Sequence, residues 1–216
     1  MKLIVGLGNR GEKYIKNRHN VGFMFLDYLV NSLSDSLFPD TDSHIVWHFD
    51  KYIYSELTKL ETRNQKLILA KPQTYMNKSG EAVKKLVNTY LATNDTSSSL
   101  SVNQQLTTNN QQPKTNNKLL IAHNLIVVHD DLDIPFGKFR IVNGYGPKLH
   151  NGIESIQNHL QTMDFLRIRI GVDNRDTENR IPGIDYVLQN FSQKEFSLLP
   201  SVFSQILNRL KTEKYI

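Results

Sequence analysis

Short apolar runs that stop at glycines or at polar clusters restrict this chain to one kind of architecture. Leu3 to Val5, followed at once by glycines, reads as a buried strand, and Leu125 to Val128 reads as another that carries acidic residues at its carboxyl end. Further strands are expected at Tyr52 to Leu57, Lys66 to Ala70, Lys138 to Val142 and Leu166 to Val172. Between them, Asn20 to Asn31, Glu81 to Leu91, Ile153 to Leu160, Gly183 to Asn190 and Lys194 to Leu210 space their apolar residues as helices do, with Ser192 placed to cap the last. This alternation predicts an α/β fold: a three-layer sandwich whose mixed, mostly parallel sheet is flanked by helices.

Length and composition narrow the chemistry. At 216 residues the chain suits a single domain, because one core stops growing only at about 250–300 residues. It has no cysteine, which excludes disulfides, iron–sulfur clusters, thiolate zinc sites and a cysteine nucleophile, so its chemistry must use oxygen and nitrogen groups. The net charge of +5 permits a polyanionic partner without establishing one. No stretch approaches the ~18 apolar residues of a membrane helix, and the opening residues enter an apolar run too early for a cleaved targeting segment. One stretch departs from the pattern. Of the 26 residues from 93 to 118, 19 are Ser, Thr, Asn or Gln, and this segment is expected to be a flexible, low-complexity surface insertion.

Gly6-Leu7-Gly8-Asn9-Arg10-Gly11 satisfies the Gly-x-Gly-x-x-Gly pattern of dinucleotide sites. A true dinucleotide unit needs a helix that starts within the glycine loop and an acid ending a second strand. The nearest acid, Asp27, instead lies inside an expected helix. The glycines are therefore read as a tight turn that projects Asn9 from the carboxyl end of the first strand.

Four further groups offer chemistry. Arg18-His19-Asn20 puts an imidazole at a helix N-terminus, where the helix dipole favours the neutral form that can take a proton from water, although a histidine there also serves as a cap. His129-Asp130-Asp131-Leu132-Asp133 suits either a divalent metal or a carboxylate paired with an imidazole. No second cluster with metal-ligand spacing exists, which favours the imidazole. In the loop from Lys71 to Gly80, Asn77 supplies an amide, Ser79 a helix cap, and Tyr75 and Met76 either core or a pocket wall. The glycine-bearing loop from Gly144 to Gly152 presents His150 and Asn151 at a helix start, where an amide can orient a water or hold an oxyanion. Around it Lys138, Arg140, Arg167 and Arg169 alternate along strands, as a phosphate-binding stripe or a solvated face would.

Taken in order, these groups resemble the bacterial-type peptidyl-tRNA hydrolase family from Lys2 to about Leu210. The likeness rests on Gly-Leu-Gly-Asn, Tyr14 with Arg18-His19-Asn20, Thr74 to Gly80, His129 to Asp133, and His150-Asn151-Gly152. It implies a hydrolase that cleaves the ester between peptide and 3′-terminal ribose, with His19 as the base for water, Asp130 holding its imidazole, and Asn9, Asn77 and Asn151 as neutral hydrogen-bonding groups. Tyr14 and Tyr75 fall among the substrate-binding positions, and Lys138, Arg140 and Arg169 match positions that hold tRNA phosphates. The family uses no metal or cofactor and acts as a monomer without an obligate protein partner. It serves cytosolic or mitochondrial translation.

The sequence departs from the family in several places. A glycine-rich stretch before His150 here reads Gly-Tyr-Gly-Pro-Lys-Leu, Arg10 replaces a usual proline, and Asn174-Arg175-Asp176 only loosely follows Gly-Arg-Pro. These changes motivate an alternative, a non-hydrolytic RNA-binding protein of the same fold.

Overall fold

The strands expected from the sequence are all present, with shifted ends. The computed structural model describes residues 1–37, 45–61, 65–91, 113–176, 178 and 181–216. The strands are β1 (Lys2–Gly6), β2 (His48–Asp50), β3 (Ser55–Glu61), β4 (Lys66–Pro72), β5 (Leu125–Pro135), β6 (Phe139–Asn143) and β7 (Leu166–Asp173). They form one sheet in the order β2-β3-β4-β1-β5-β7-β6. β4, β1, β5 and β7 are mutually parallel, while β3 and β6 run antiparallel to their neighbours, as the mixed-sheet expectation required. Tyr52 to Tyr54 form a turn rather than the start of β3, and β2 had no counterpart in the sequence reading.

Burial on both faces explains the apolar runs of β1, β4 and β5. Ile4, Leu69, Ile126 and Val128 face one layer, built from α1 (Val21–Leu37) and α6 (Gln193–Thr212). Leu3, Val5, Ile68 and Val127 face the other, built largely from α2 (Ser79–Tyr90) and α4 (Asn151–Leu160). Each fully buried Leu, Ile or Phe contributes about 1.5–3 kcal/mol, so side chains such as Phe25, Leu29 and Leu86 weld the three layers together.

Local signals set the helix ends. Ser192 caps α6 as expected: its hydroxyl accepts from the Glu195 N–H at 3.2 Å and the Glu195 carboxylate accepts from the Ser192 N–H at 2.7 Å. Ser79 does not cap α2. It is the first helical residue, and its hydroxyl donates to the Met76 carbonyl at 2.8 Å. Residues 93–112 of the expected insertion lie outside the described residues, and its last six open α3 (Pro113–Asn124). α5 (Gly183–Val187) is a single short helix.

The glycine loop does not open a helix. Short 3-10 turns follow it, and α1 begins only at Val21, which removes the dinucleotide geometry. The start of α1 instead presses on the sheet. A Cβ on Gly22 would sit 2.4 Å from the Val128 carbonyl oxygen and 2.5 Å from the Leu7 nitrogen. This close approach brings the residues before α1 against the carboxyl ends of β1 and β5.

Candidate active site

Five segments converge at that edge of the sheet. The loop after β1 delivers Asn9, a 3-10 turn (Arg18–Asn20) delivers His19, the loop after β4 delivers Tyr75 to Asn77, β5 carries Asp130, and the start of α4 presents His150 and Asn151. Buried contacts brace the His19 turn. Arg18 pairs with Glu195 at 2.8 Å and donates to the Asn190 carbonyl at 2.9 Å, while the Asn20 amide clamps the Asn9 backbone with two bonds of 2.9 Å. The Asn9 side-chain oxygen accepts from the Met76 N–H at 2.9 Å, which fixes its amide orientation and turns its NH2 to the cleft.

Asp130 is the hub. One carboxylate oxygen, Oδ1, lies 2.8 Å from His19 Nδ1 and 3.0 Å from His150 Nε2. His150 Nδ1 accepts the Gly152 and Ile153 N–H groups at 3.1 and 3.3 Å, capping α4, so the proton of its ring sits on Nε2 and points at Asp130. Burial pushes the Asp130 carboxyl up, but the electrostatic pull of His19 and then His150, with the hydrogen bonds they donate, outweighs it and holds the group far below the usual carboxylate range. An ionised carboxylate only accepts, so His19 Nδ1 donates to it and Nε2 carries the lone pair. The ring of His150 stands 4.9 Å from that of His129, whose Nδ1 donates to the Asp130 carbonyl at 2.7 Å. Burial, then the neighbouring His150, holds His129 well below the usual imidazole range and so neutral.

A cleft of about 550 Å³ opens over this hub. Seven of the ten site residues that the family resemblance implies line it: Asn9, Tyr14, His19, Tyr75, Asn77, Asp130 and Asn151. One wall was not foreseen. It is apolar and formed by Leu132, Leu149, Ile184, Val187 and Leu188, with Leu149 91% exposed. His150 stood out in the sequence only as a neighbour of Asn151; its cap position was legible, but its contact with Asp130 was not. A larger depression of about 980 Å³ along β2 and β3 has none of these converging groups, so size is a poor guide to the chemistry here.

The basic residues divide. Lys138 and Arg140 are exposed beside and on β6. Arg169, expected on the same phosphate-facing stripe, is buried, because Asp131 takes its Nε at 2.6 Å. Arg167 is buried too, donating to the carbonyls of Gly146 and, at 3.0 Å, Met163. Burial, then the charge of Arg169, lowers Arg167 to about 10. Both arginines thus brace the loop before His150, where Gly146 at φ +63° lies so close to Arg169 that a Cβ would meet its guanidinium at 2.3 Å.

The acidic cluster likewise divides: Asp130 to the imidazoles, Asp131 to Arg169 and the Asp133 N–H, and Asp133 to the Lys148 N–H at 3.1 Å. Among the described residues, His19, Asp130 and His150 could together enclose a cation, with donor atoms within 4.8 Å of one another. The arrangement fits one poorly, since both imidazoles present N–H groups to Asp130 and the remaining His150 nitrogen is spent on α4.

A family model described as peptidyl-tRNA hydrolase matches residues 3–102 and 112–213. Peptidyl-tRNA hydrolase of Lawsonia intracellularis is 37% identical over 210 residues, covering 96% of this chain and 84% of that one. Its counterpart in Mycoplasma mycoides is 34% identical over 203 residues, covering 94% and 87%. The crystal structure of peptidyl-tRNA hydrolase from Acinetobacter baumannii superposes with a TM-score of 0.70 at 26% identity, covering 98% and 87%.

Proposed function

The chain belongs to the peptidyl-tRNA hydrolase family, and from that premise we propose how its cleft cleaves peptidyl-tRNA. The reaction is hydrolysis of the ester between the peptide and the 3′-terminal ribose, releasing peptide and free tRNA. His19 Nε2 takes a proton from water as the water oxygen attacks the ester carbonyl. The Asn9 and Asn151 amides, neutral at every working pH, hydrogen-bond the water and the developing oxyanion. When the tetrahedral intermediate collapses, the proton on His19 passes to the departing ribose oxygen. Asp130 holds His19 in the required tautomer and offsets the charge of the transient imidazolium.

The single observation that carries this reading is the 2.8 Å contact between His19 Nδ1 and an ionised Asp130, which leaves Nε2 as the basic atom. The apolar wall, with Tyr14, Tyr75 and Asn77, suits the peptide. Exposed Lys138 and Arg140 suit the phosphates of the acceptor stem, read through charge and not sequence. The mechanism needs no metal or cofactor. A non-hydrolytic RNA-binding role is not supported, since the residues the reaction needs converge on one cleft.

The finer reading is a monomer with no obligate protein partner, acting in the cytosol or mitochondrion, where translation supplies its substrate. Among the described residues no helix is long and apolar enough to cross a membrane. Residues 93–118 are read as a low-complexity insertion on this single domain. The decisive experiment is peptide release from an N-blocked aminoacyl-tRNA, with and without EDTA. Wild-type cleavage that ignores EDTA and falls at least ~100-fold in His19→Ala supports the scheme, and an equally active His19→Ala overturns it.

A further inference from the structure

Next to the catalytic cleft lies a second one of about 330 Å³, and Tyr75 forms a wall of both. Its charged lining is mainly basic, with Arg10, Lys78 and Lys85 set against the lone carboxylate of Glu81. Arg10 is exposed but held. Its Nη1 donates to the Tyr54 hydroxyl at 2.7 Å, and its guanidinium carbon stands 5.3 Å from the centre of the Tyr75 ring and 5.8 Å from that of Tyr54. Tyr54 itself sits at φ +62°, a conformation that side chains bearing a Cβ rarely adopt. Two backbone bonds keep it there, from its N–H to the Asp50 carbonyl at 2.7 Å and from the Gln73 N–H to its carbonyl at 2.9 Å. Strain of this kind concentrates where a surface is organised to bind something. The Tyr54 hydroxyl takes only one of the five donors of the guanidinium, so carboxylate-pairing capacity remains.

The sheet order indicates which part of the substrate can reach this cleft. The reacting groups stand at the ends of β1 and β5, Lys138 and Arg140 lie toward the β6 edge, and Arg10, Tyr54 and Tyr75 lie on the side of β3 and β4. With tRNA on the β6 side, a reading on which this inference rests, the peptide leaves the ester in the opposite direction, past Tyr75. We propose that the second cleft is a side-chain subsite for the peptide, that Arg10 is its specificity residue, and that its preferred occupant is a carboxylate side chain two or three residues from the ester.

The test uses N-acetylated tripeptidyl-tRNAs on one tRNA body, with Glu, Gln or Lys at the second or third residue from the ester, assayed at low salt. At one of the two positions wild type should favour Glu over Gln by about three- to fivefold in kcat/KM, the scale of an exposed ion pair, through KM and not kcat. Arg10→Gln should bring that ratio to about one. Tyr54→Phe, which keeps the charge but frees the guanidinium, should leave an intermediate ratio; thermal unfolding confirms that both variants are folded. A wild-type ratio of one at both positions refutes the subsite and leaves the hydrolase intact, as does a ratio that survives Arg10→Gln. If Arg10→Gln raises KM by one common factor for all three peptides, Arg10 serves the RNA and the proposal fails. A wild-type protein that cleaves none of the substrates refutes the subsite and the hydrolase together.

Discussion

His150 reaches Asp130 Oδ1 at 3.0 Å, the same oxygen that accepts from His19, while its other ring nitrogen holds the first turn of α4. One imidazole thereby ties a helix end to the carboxylate that holds His19. Replacing it with serine separates the two functions, because serine is a good N-cap yet is too short to reach Asp130. His150→Ser is expected to lower kcat about tenfold through loss of the donor that helps hold Asp130 ionised, with KM largely unchanged. Steady-state kinetics on an N-blocked aminoacyl-tRNA, with a melting curve to confirm the retained cap, decides it.

Asp130→Asn keeps the shape of the hub but replaces an acceptor-only group with one that can donate. His19 is then free to adopt the tautomer with its proton on Nε2, which cannot accept from water. The expected cost is on the order of 10²–10⁴ in kcat, with substrate binding little affected. If kcat in this variant stays within a few fold of wild type, Asp130 does not set the His19 tautomer.

The three basic residues first grouped together should behave in two different ways. Lys138→Ala with Arg140→Ala should raise KM and reduce the slope of log KM against log salt by roughly 1–2, the signature of lost phosphate contacts, without changing the melting temperature. Arg169→Ala leaves the buried Asp131 carboxylate unpaired and should cost about 3–5 kcal/mol of stability instead. Denaturant titration and salt-dependent kinetics on the same preparations tell the two roles apart.

What could be read from the sequence follows from how each feature is encoded. Strands buried on both faces are largely apolar runs, so β1, β4 and β5 were evident, β7 showed in its alternating Leu166, Ile168, Ile170 and Val172, and the Ser192 cap declared the start of α6. β2 is three residues long and mostly exposed, so it carries no period, and α3 begins inside a run of polar residues. At the site, side chains that project alone from segment ends, such as Asn9, His19 and Asn151, could be named one at a time. Pairing was another matter. Nothing local tells which of three neighbouring carboxylates meets an imidazole and which meets Arg169; the parallel register of β5 and β7 decides it. The apolar wall from α5 escaped notice because exposed Ile184 and Leu188 look like ordinary helix residues until the fold sets them against the cleft.

Gly22 tests the packing that seats His19. Gly22→Ala drives a methyl group to 2.4 Å from the Val128 carbonyl oxygen, and backbone cannot yield as a flexible side chain would. The variant is expected to lose about 1–3 kcal/mol of stability and, because the 3-10 turn of His19 must shift, also kcat. Alanine at Gly137, a turn where a Cβ meets nothing within 4 Å, serves as the control: it should lower stability through its φ of +82° yet leave kcat unchanged.

His129 makes stability depend on pH in a range where carboxylates do not titrate. Its folded form is neutral, with its pKa well below the usual value of about 6.5, whereas the unfolded chain protonates at that value. Between the two values the unfolded state binds the extra proton, so stability rises with pH and falls as pH drops below about 6.5. From pH 7.5 down to pH 5 this one residue should therefore remove stability. His129→Asn preserves a donor for the Asp130 carbonyl but cannot titrate, so its loss of stability over the same range should be smaller than that of wild type. Urea unfolding of both proteins at pH 7.5 and pH 5 measures the difference, and parallel losses would show that His129 contributes nothing to the acid sensitivity.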